Sequence, residues 1–337
     1  MKSVLSHLVI AIFFIGCSSL PFMKVDDKKL KERHTKILKE DFKVEKRVLD
    51  KFEETPKVIV PSAPEKKKDL TPGKTNLKRN EIRPKVIRLK KKKKNIEQKI
   101  NEDYPEGFPQ KYIDFDKESE KYWSDFKPVL IEGEKIQLHI SYMGVSTGKI
   151  QMETRKSVEL GGHESYHVHA RVKTADFYSY LYSVNDICDS YIRKENFIPL
   201  KFSLIQRESA QDIDDLQLFD HGEHKTYSLY KRVTKEKTKK KKKIEFIPKK
   251  FQDPLSVFYF IRGLPMDGRK YIIPIVNQGR VEILSSQFDK RETIKTDIGT
   301  MEAYKVDVST KHKGKTIEGG KMTFWFSADE KRIFLKF

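Results

Sequence analysis

GEKIQLHISYMGVSTGKI, residues 133–150, sets the fold class. Ile136, Leu138, Ile140 and Tyr142 alternate with polar residues, the period of two expected of a strand with one wet face, and Met143-Gly144 is a turn signal directly behind them. The same alternation recurs in ESYHVHARV (164–172), where Tyr166, Val168, Ala170 and Val172 are the apolar set. Similar runs lie at 197–206, 226–233, 271–276, 281–288, 303–308, 322–326 and 333–337, with Gly161-Gly162, Gln278-Gly279 and Lys313-Gly314 among the turns between them. About ten strands without regular strand and helix alternation predict an all-β fold, one antiparallel sheet that is strongly curved or partly closed like a barrel. Two short helices are expected to interrupt it, at Ala175–Tyr182 and Asp253–Arg262. In the second, Asp253 is the N-cap and Pro254 takes the first helical position, where its missing N–H costs nothing.

The other end of the chain has a different character. Lys2 supplies a positive start, Leu8 to Ile15 an apolar run too short to span a bilayer, and Gly16 a small residue before Cys17. Phe14-Ile15-Gly16-Cys17 resembles the lipobox of bacterial lipoproteins, which implies acylation of Cys17; an ordinary secretory signal cut near Ser18 or Ser19 is the alternative. Ser18 after the cysteine resembles the class sent to the outer membrane. The expected organisation is therefore a lipoprotein signal peptide (1–16), an anchor with a narrow-striped amphipathic helix (17–55), a disordered basic Pro/Lys linker (56–103) and the β domain (104–337). The expected location is the bacterial cell envelope, on the outer membrane and facing the periplasm. Residues from about Trp123 to Phe337 are expected to fold without the segments before them.

A formal charge of +20 would ordinarily point to nucleic acid, but its distribution argues otherwise. Residues 56–99 carry a net +12 and residues 231–250 a net +9, so the remainder is close to neutral. Charge confined to two low-complexity stretches, in a chain with an export signal, excludes nucleic acid as the partner. Both stretches are read as disordered, with Lys239 to Lys243 repelling one another into a mobile hairpin tip. Their expected partner is anionic lipid or cell-wall polymer, besides the membrane reached through the lipid anchor.

Chemistry is harder to find. Cys188 in NDICDSYIR reads as a small apolar residue buried in a strand. His163, His167 and His169 share one strand, while Asp220, His221, Glu223 and His224 form a turn; His167 and His169 would share a zinc ion only if the turn supplied a third ligand. The alternation places both histidines on the polar face, so a solvated face is the expectation. His-Glu-x-x-His, Gly-x-Ser-x-Gly, a phosphate-binding glycine loop and Cys-x-x-Cys are all absent from the sequence. No catalytic, metal or cofactor residue is nominated.

Four stretches carry a family resemblance: GEKIQLHISYMGVSTGKI (133–150), DPLSVFYFIRGLP (253–265), DIGTMEAYKVDVST (297–310) and MTFWFSADEKRIFLKF (322–337). From about Trp123 onward the chain resembles the exported bacterial family called domain of unknown function 3108. That resemblance implies an antiparallel, partly barrel-like sheet in the envelope with no established catalytic residues. The lysine insert near Lys239 departs from the family pattern, and the family is expected to continue for at least one strand beyond Phe337. The functional expectation is a non-catalytic envelope lipoprotein tethering a β-sheet binding or scaffold domain for lipid or glycan, with Phe177, Tyr178, Tyr180 and Tyr182 near its opening. The alternative is a metal-dependent or other hydrolase acting on envelope polymers.

Overall fold

The structure, a computed structural model, describes residues 27–55, 104–312 and 315–337; Cys17 and the 56–103 linker lie outside them. The described residues form two antiparallel sheets. The first runs β1 (Glu54–Thr55), β3 (Val145–Leu160), β4 (His163–Thr174), β5 (Asn185–Arg193), β6 (Pro199–Arg207), β7 (Asp212–Asp220), β8 (Lys225–Val233) and β9 (Thr238–Phe246), with β2 (Lys135–Tyr142) also paired to β3. The second is a meander of β10 (Lys270–Asn277), β11 (Arg280–Thr296), β12 (Gly299–His312), β13 (Lys315–Ser327) and β14 (Phe334–Lys336). The all-β, antiparallel expectation holds, but the curved sheet is split in two and is not closed. The break falls after β9, where the chain makes one parallel bridge, Gln252 to Ile275, and turns into a helix.

Cross-strand register converts the alternation into rows. One row on the inner face of the first sheet reads Met152, Ala170, Cys188, Leu204, Asp215, Tyr230, Lys241, from apolar at β3 to charged at β9. The second sheet and helix α4 (Ser256–Gly263) cover the apolar half, and Phe202, Phe219, Phe260, Phe324 and Phe326 are fully buried between them. Asp253 holds the turn that leads into α4, although the helix begins at Ser256, two residues beyond the Pro254 start expected: Asp253 Oδ1 accepts the N–H of Leu255 (2.8 Å) and Ser256 (2.7 Å), while Ser256 Oγ accepts the Asp253 N–H (2.8 Å). Gly263, the last residue of α4, has no room for a side chain, since a Cβ there would meet the Phe126 ring at 2.4 Å and the Lys127 carbonyl at 2.5 Å.

Arg262, 2% exposed, closes this core. Its guanidinium donates to both oxygens of Glu134 (2.6 and 2.8 Å) and to the Lys331 carbonyl (2.9 and 2.6 Å). The residues that lead into β2, end α4 and turn the chain ahead of β14 thus meet at one ion pair. Ser327 Oγ donates to Asp329 (2.6 Å), whose carboxylate also accepts the Arg332 N–H (3.0 Å), so the side-chain oxygens expected to hold that turn do so.

The described part of the segment set apart as an anchor and helix, residues 27–55, is built into the fold. Helix α1 (Asp27–Phe42) crosses the outer face of the first sheet, with Leu30 on Ile187 and Ile205, His34 on Asp214 and Asp41 on Lys231 and Lys240. Those contacts span β5 to β9. From Leu30, which straddles β5 and β6, to Asp41, which straddles β8 and β9, eleven helical residues rise about 16 Å, close to the three strand spacings of about 4.8 Å between those midpoints. Helix α2 (Lys46–Asp50) adds Val48 to a cluster of Leu38, Phe52, Leu216, Leu218 and Leu229, and β1 pairs with β3. Helix α3 (Gln110–Trp123) was not expected; its buried face includes Asp116 and Ser119, which breaks the apolar stripe a helix normally displays.

The lysine run is also corrected. Lys239 to Lys243 form no mobile tip: they continue the ladder in β9, paired residue for residue with β8, and the tip is at 234–237. Nine register pairs, with Lys240 on Asp41 and Lys242 on the Phe42 carbonyl, outweigh local repulsion, and charged side chains suit an edge strand.

Candidate functional site

The histidines are placed against expectation. His167 and His169 do face away from Val168 and Ala170, but that face lies under α1 and both are buried. His167 Nε2 (2.7 Å), His169 Nδ1 (2.9 Å) and Lys31 Nζ (2.8 Å) all bond Asp189 Oδ1, and His167 stacks on Tyr191 at 4.4 Å. Burial alone would raise the Asp189 carboxyl; the His167 and His169 hydrogen bonds and the Lys31 charge outweigh it and hold it well below the usual carboxylate range. The third group is thus Asp189, from the neighbouring strand, with an ammonium already at its oxygen. The turn does not reach the pair. Asp220 accepts the N–H of Gly222 (3.0 Å) and Glu223 (3.1 Å) and binds Lys51 (2.7 Å), while His221 Nε2 donates to the Pro199 carbonyl (2.8 Å). Among the described residues no group of three or more His, Cys, Asp or Glu is arranged to hold a metal. The cluster fastens α1 to the sheet.

The inner face leads to a different place. Cys188 is a buried, free cysteine whose thiol burial pushes up well above its ordinary range, so it stays protonated. It lines an apolar cavity of about 30 Å³ with Met152, Ala170, Leu255, Phe258 and Phe334. That volume is a packing void, far below the several hundred cubic ångströms of a ligand chamber. Val172 joins it to a cleft lined by Ile140, Gly148 and Tyr182.

Above that cleft the molecule exposes apolar side chains. Tyr142, Met143 and Val145 occupy the β2–β3 turn, and Phe177, Tyr180 and Leu181 the 3-10 turn (Asp176–Tyr180) and the residue after it. Met143 is 86% exposed, Tyr180 83%, Phe177 78% and Leu181 63%. The two turns are held side by side: the Ala175 N–H donates to the Thr147 carbonyl (2.9 Å) and Thr147 Oγ1 to the Ile140 carbonyl (3.2 Å). Gly148 permits the approach, because a Cβ there would meet the Lys173 carbonyl at 2.8 Å. Met143 sits at φ 49° ahead of Gly144 at φ 80°, the two-residue hairpin geometry that favours Asn-Gly. A long apolar side chain held there in a left-handed conformation is presented outward at a cost. Of the four aromatics expected near an opening, Phe177 and Tyr180 project outward, while Tyr182 is half-buried and donates to Glu208 (2.9 Å).

Farther across the inner face lie buried acids. Burial, then the nearby Glu208, raises Asp186 to about 7; burial raises Asp215 and Glu282 to about 7 as well. A carboxyl whose folded pKa is raised costs nothing while protonated and destabilises once it ionises, so its contribution worsens as pH climbs from the ordinary carboxylate range through about 7. Asp215→Asn should therefore raise the melting temperature more at pH 8 than at pH 5, and a gain equal at both values would show that Asp215 ionises normally.

A model of the family described as "Protein of unknown function (DUF3108)" matches residues 137–337. The crystal structure of a beta-barrel-like protein of domain of unknown function DUF1849 from Brucella abortus is similar at 11% identity, over 56% of this chain and 79% of that chain, with a TM-score of 0.34. No curated protein matches.

Proposed function

We propose, starting from a chain that belongs to the DUF3108 family of proteins of unknown function, that it is a non-catalytic envelope lipoprotein whose β domain binds lipid. The observation that carries this reading is the apolar rim of Tyr142, Met143, Val145, Phe177, Tyr180 and Leu181 at the open end of the first sheet. Scattered exposed apolar residues need no explanation, but six on two adjoining turns, two of them aromatic and nearly fully exposed, make a contact surface. The void beneath them is too small to swallow an acyl chain, so lipid is met at the rim. Burying Met143, Phe177 and Tyr180 in an acyl boundary contributes about 1.5–3 kcal/mol each at most.

Two arms test this. Cys17→Ala should leave the full-length protein extractable from membranes by an alkaline carbonate wash, which strips peripheral contacts such as the rim, whereas the lipidated chain stays bound. The unlipidated chain from Ser18 onward should float with neutral phosphatidylcholine vesicles, and Met143→Ser, Phe177→Ser and Tyr180→Ser together should weaken that binding on the order of a hundredfold. A Cys17→Ala protein that resists the wash like wild type removes the anchor, and flotation indifferent to the triple change removes the rim.

A further inference from the structure

We infer that the basic end of β8 and β9 completes one docking face with the apolar rim, and that its partner is the headgroup phosphates of an anionic phospholipid surface. The inference rests on the lipid reading above and extends it to a class of headgroup.

Register places the two features at the same end of the first sheet. Gly148 pairs with Thr174, the Thr174 N–H donates to the Val184 carbonyl, and Val184 bridges Glu208. Asp212 then pairs with Val233 and Val233 with Thr238. That edge leads from the rim at β2 to β5 directly to the 234–237 turn. There the chain carries Arg232, Lys235, Lys237 and Lys239, with Glu236 the one acid from 231 to 244.

Alternation sorts the lysines of β9 by face. Lys240 and Lys242 point outward and are engaged by Asp41 (2.6 Å) and the Phe42 carbonyl (3.5 Å). Lys239, Lys241 and Lys243 point to the other face, about 6.7 Å apart along the strand, which lies within a Debye length of about 8 Å. Burial first, then the charges of Lys239, Arg280 and Lys243, lowers the Lys241 ammonium; burial and Arg280 lower Lys243, with Glu245 opposing. Like charges held this close are stabilised by an anion from outside.

The rim selects which anion. A hydrated wall polymer makes no use of Met143, Phe177, Tyr180 and Leu181, whereas a phospholipid surface offers phosphates above an apolar layer, which matches lysines beside aromatics. Helix α1 agrees: Leu30 packs on Ile187 and Ile205, two residues into β5 from the rim end, and ten residues from Cys17 to Asp27 reach at most about 35 Å. A lipid on Cys17 holds this end against its own membrane.

The test uses the unlipidated chain from Ser18 onward, with thermal melts confirming that each variant folds, in sedimentation with phosphatidylcholine vesicles with and without phosphatidylglycerol. Phosphatidylglycerol should tighten binding about a hundredfold at low salt, a gain that added salt removes. Lys237→Ser, Lys239→Ser and Lys241→Ser together should abolish most of that gain and leave binding to neutral vesicles intact. Lys240→Ser with Lys242→Ser should keep it. A gain that survives the first set, or is lost equally in the second, overturns the inference while the lipid reading stands. Tighter, salt-sensitive retention on purified cell wall than on anionic vesicles also overturns it, in favour of a wall polymer. Failure to bind any vesicle overturns the lipid reading itself.

Discussion

Arg262→Met is expected to cost about 3–5 kcal/mol, because it leaves the Glu134 carboxylate buried without its bidentate partner and the Lys331 carbonyl without its donors. For a domain of this size each kcal/mol lowers the melting temperature by about 2–4 °C, so the drop should be about 10 °C or more. Changing Glu134 to Met as well should recover a large part of the loss, since removing both charges ends the penalty of the orphaned one. A single variant that melts within about 2 °C of wild type would mean that Arg262 is solvated and the pair is not buried.

Removing residues 18–55 is expected to prevent native folding of what remains. The deletion strips Lys31, His34 and Lys51 from Asp189, Asp214 and Asp220, and uncovers Ile187, Ile205, Leu216, Leu218 and Leu229. Exposing five aliphatic side chains costs about 1.5–3 kcal/mol each at most, a sum comparable to the whole stability of a typical domain. Circular dichroism and limited proteolysis of residues 56–337 should report loss of the cooperative β transition. A fragment that melts like the full chain would make α1 an accessory, as the sequence alone suggested.

That contrast marks where the sequence stops being informative. Alternation placed nine of the fourteen strands of the described residues, because the period of two is local and Val168, Ala170 and Val172 show it without reference to the rest of the chain; β1, β3, β7 and β9 were not picked out, and β5 only as the strand that buries Cys188. It also assigned His167 and His169 to the correct face. It could not say what covers that face, since Lys31 and Asp189 are 158 residues apart and no local pattern announces their meeting. The lysines of β9 misled for a related reason: local repulsion is visible in the sequence, whereas the pairing with β8 and the Asp41 counter-charge are tertiary. Helix α3 hid because Asp116 is buried as an acceptor for the N–H groups of Lys249 (3.0 Å) and Lys250 (2.9 Å), which only the fold brings near. The motifs of the family resemblance were legible as stretches, and the structure supplies their reason in the Glu134, Arg262 and Lys331 junction. Of the candidate site, Phe177 and Tyr180 were legible as aromatics near an opening, but Met143 read only as part of a turn.

The central claim, that the rim enters lipid, is tested most directly at Phe177, an exposed aromatic of the rim. Phe177→Trp places a reporter there, and its emission, taken as the difference from the parent chain with Trp123 and Trp325, should shift to the blue on adding vesicles and be quenched by nitroxide-labelled acyl chains near the headgroup boundary, within about 5–10 Å of the surface. Emission that stays red-shifted and untouched by the labelled lipid, in a variant that still sediments with vesicles, would contradict the account by showing that another surface makes the contact.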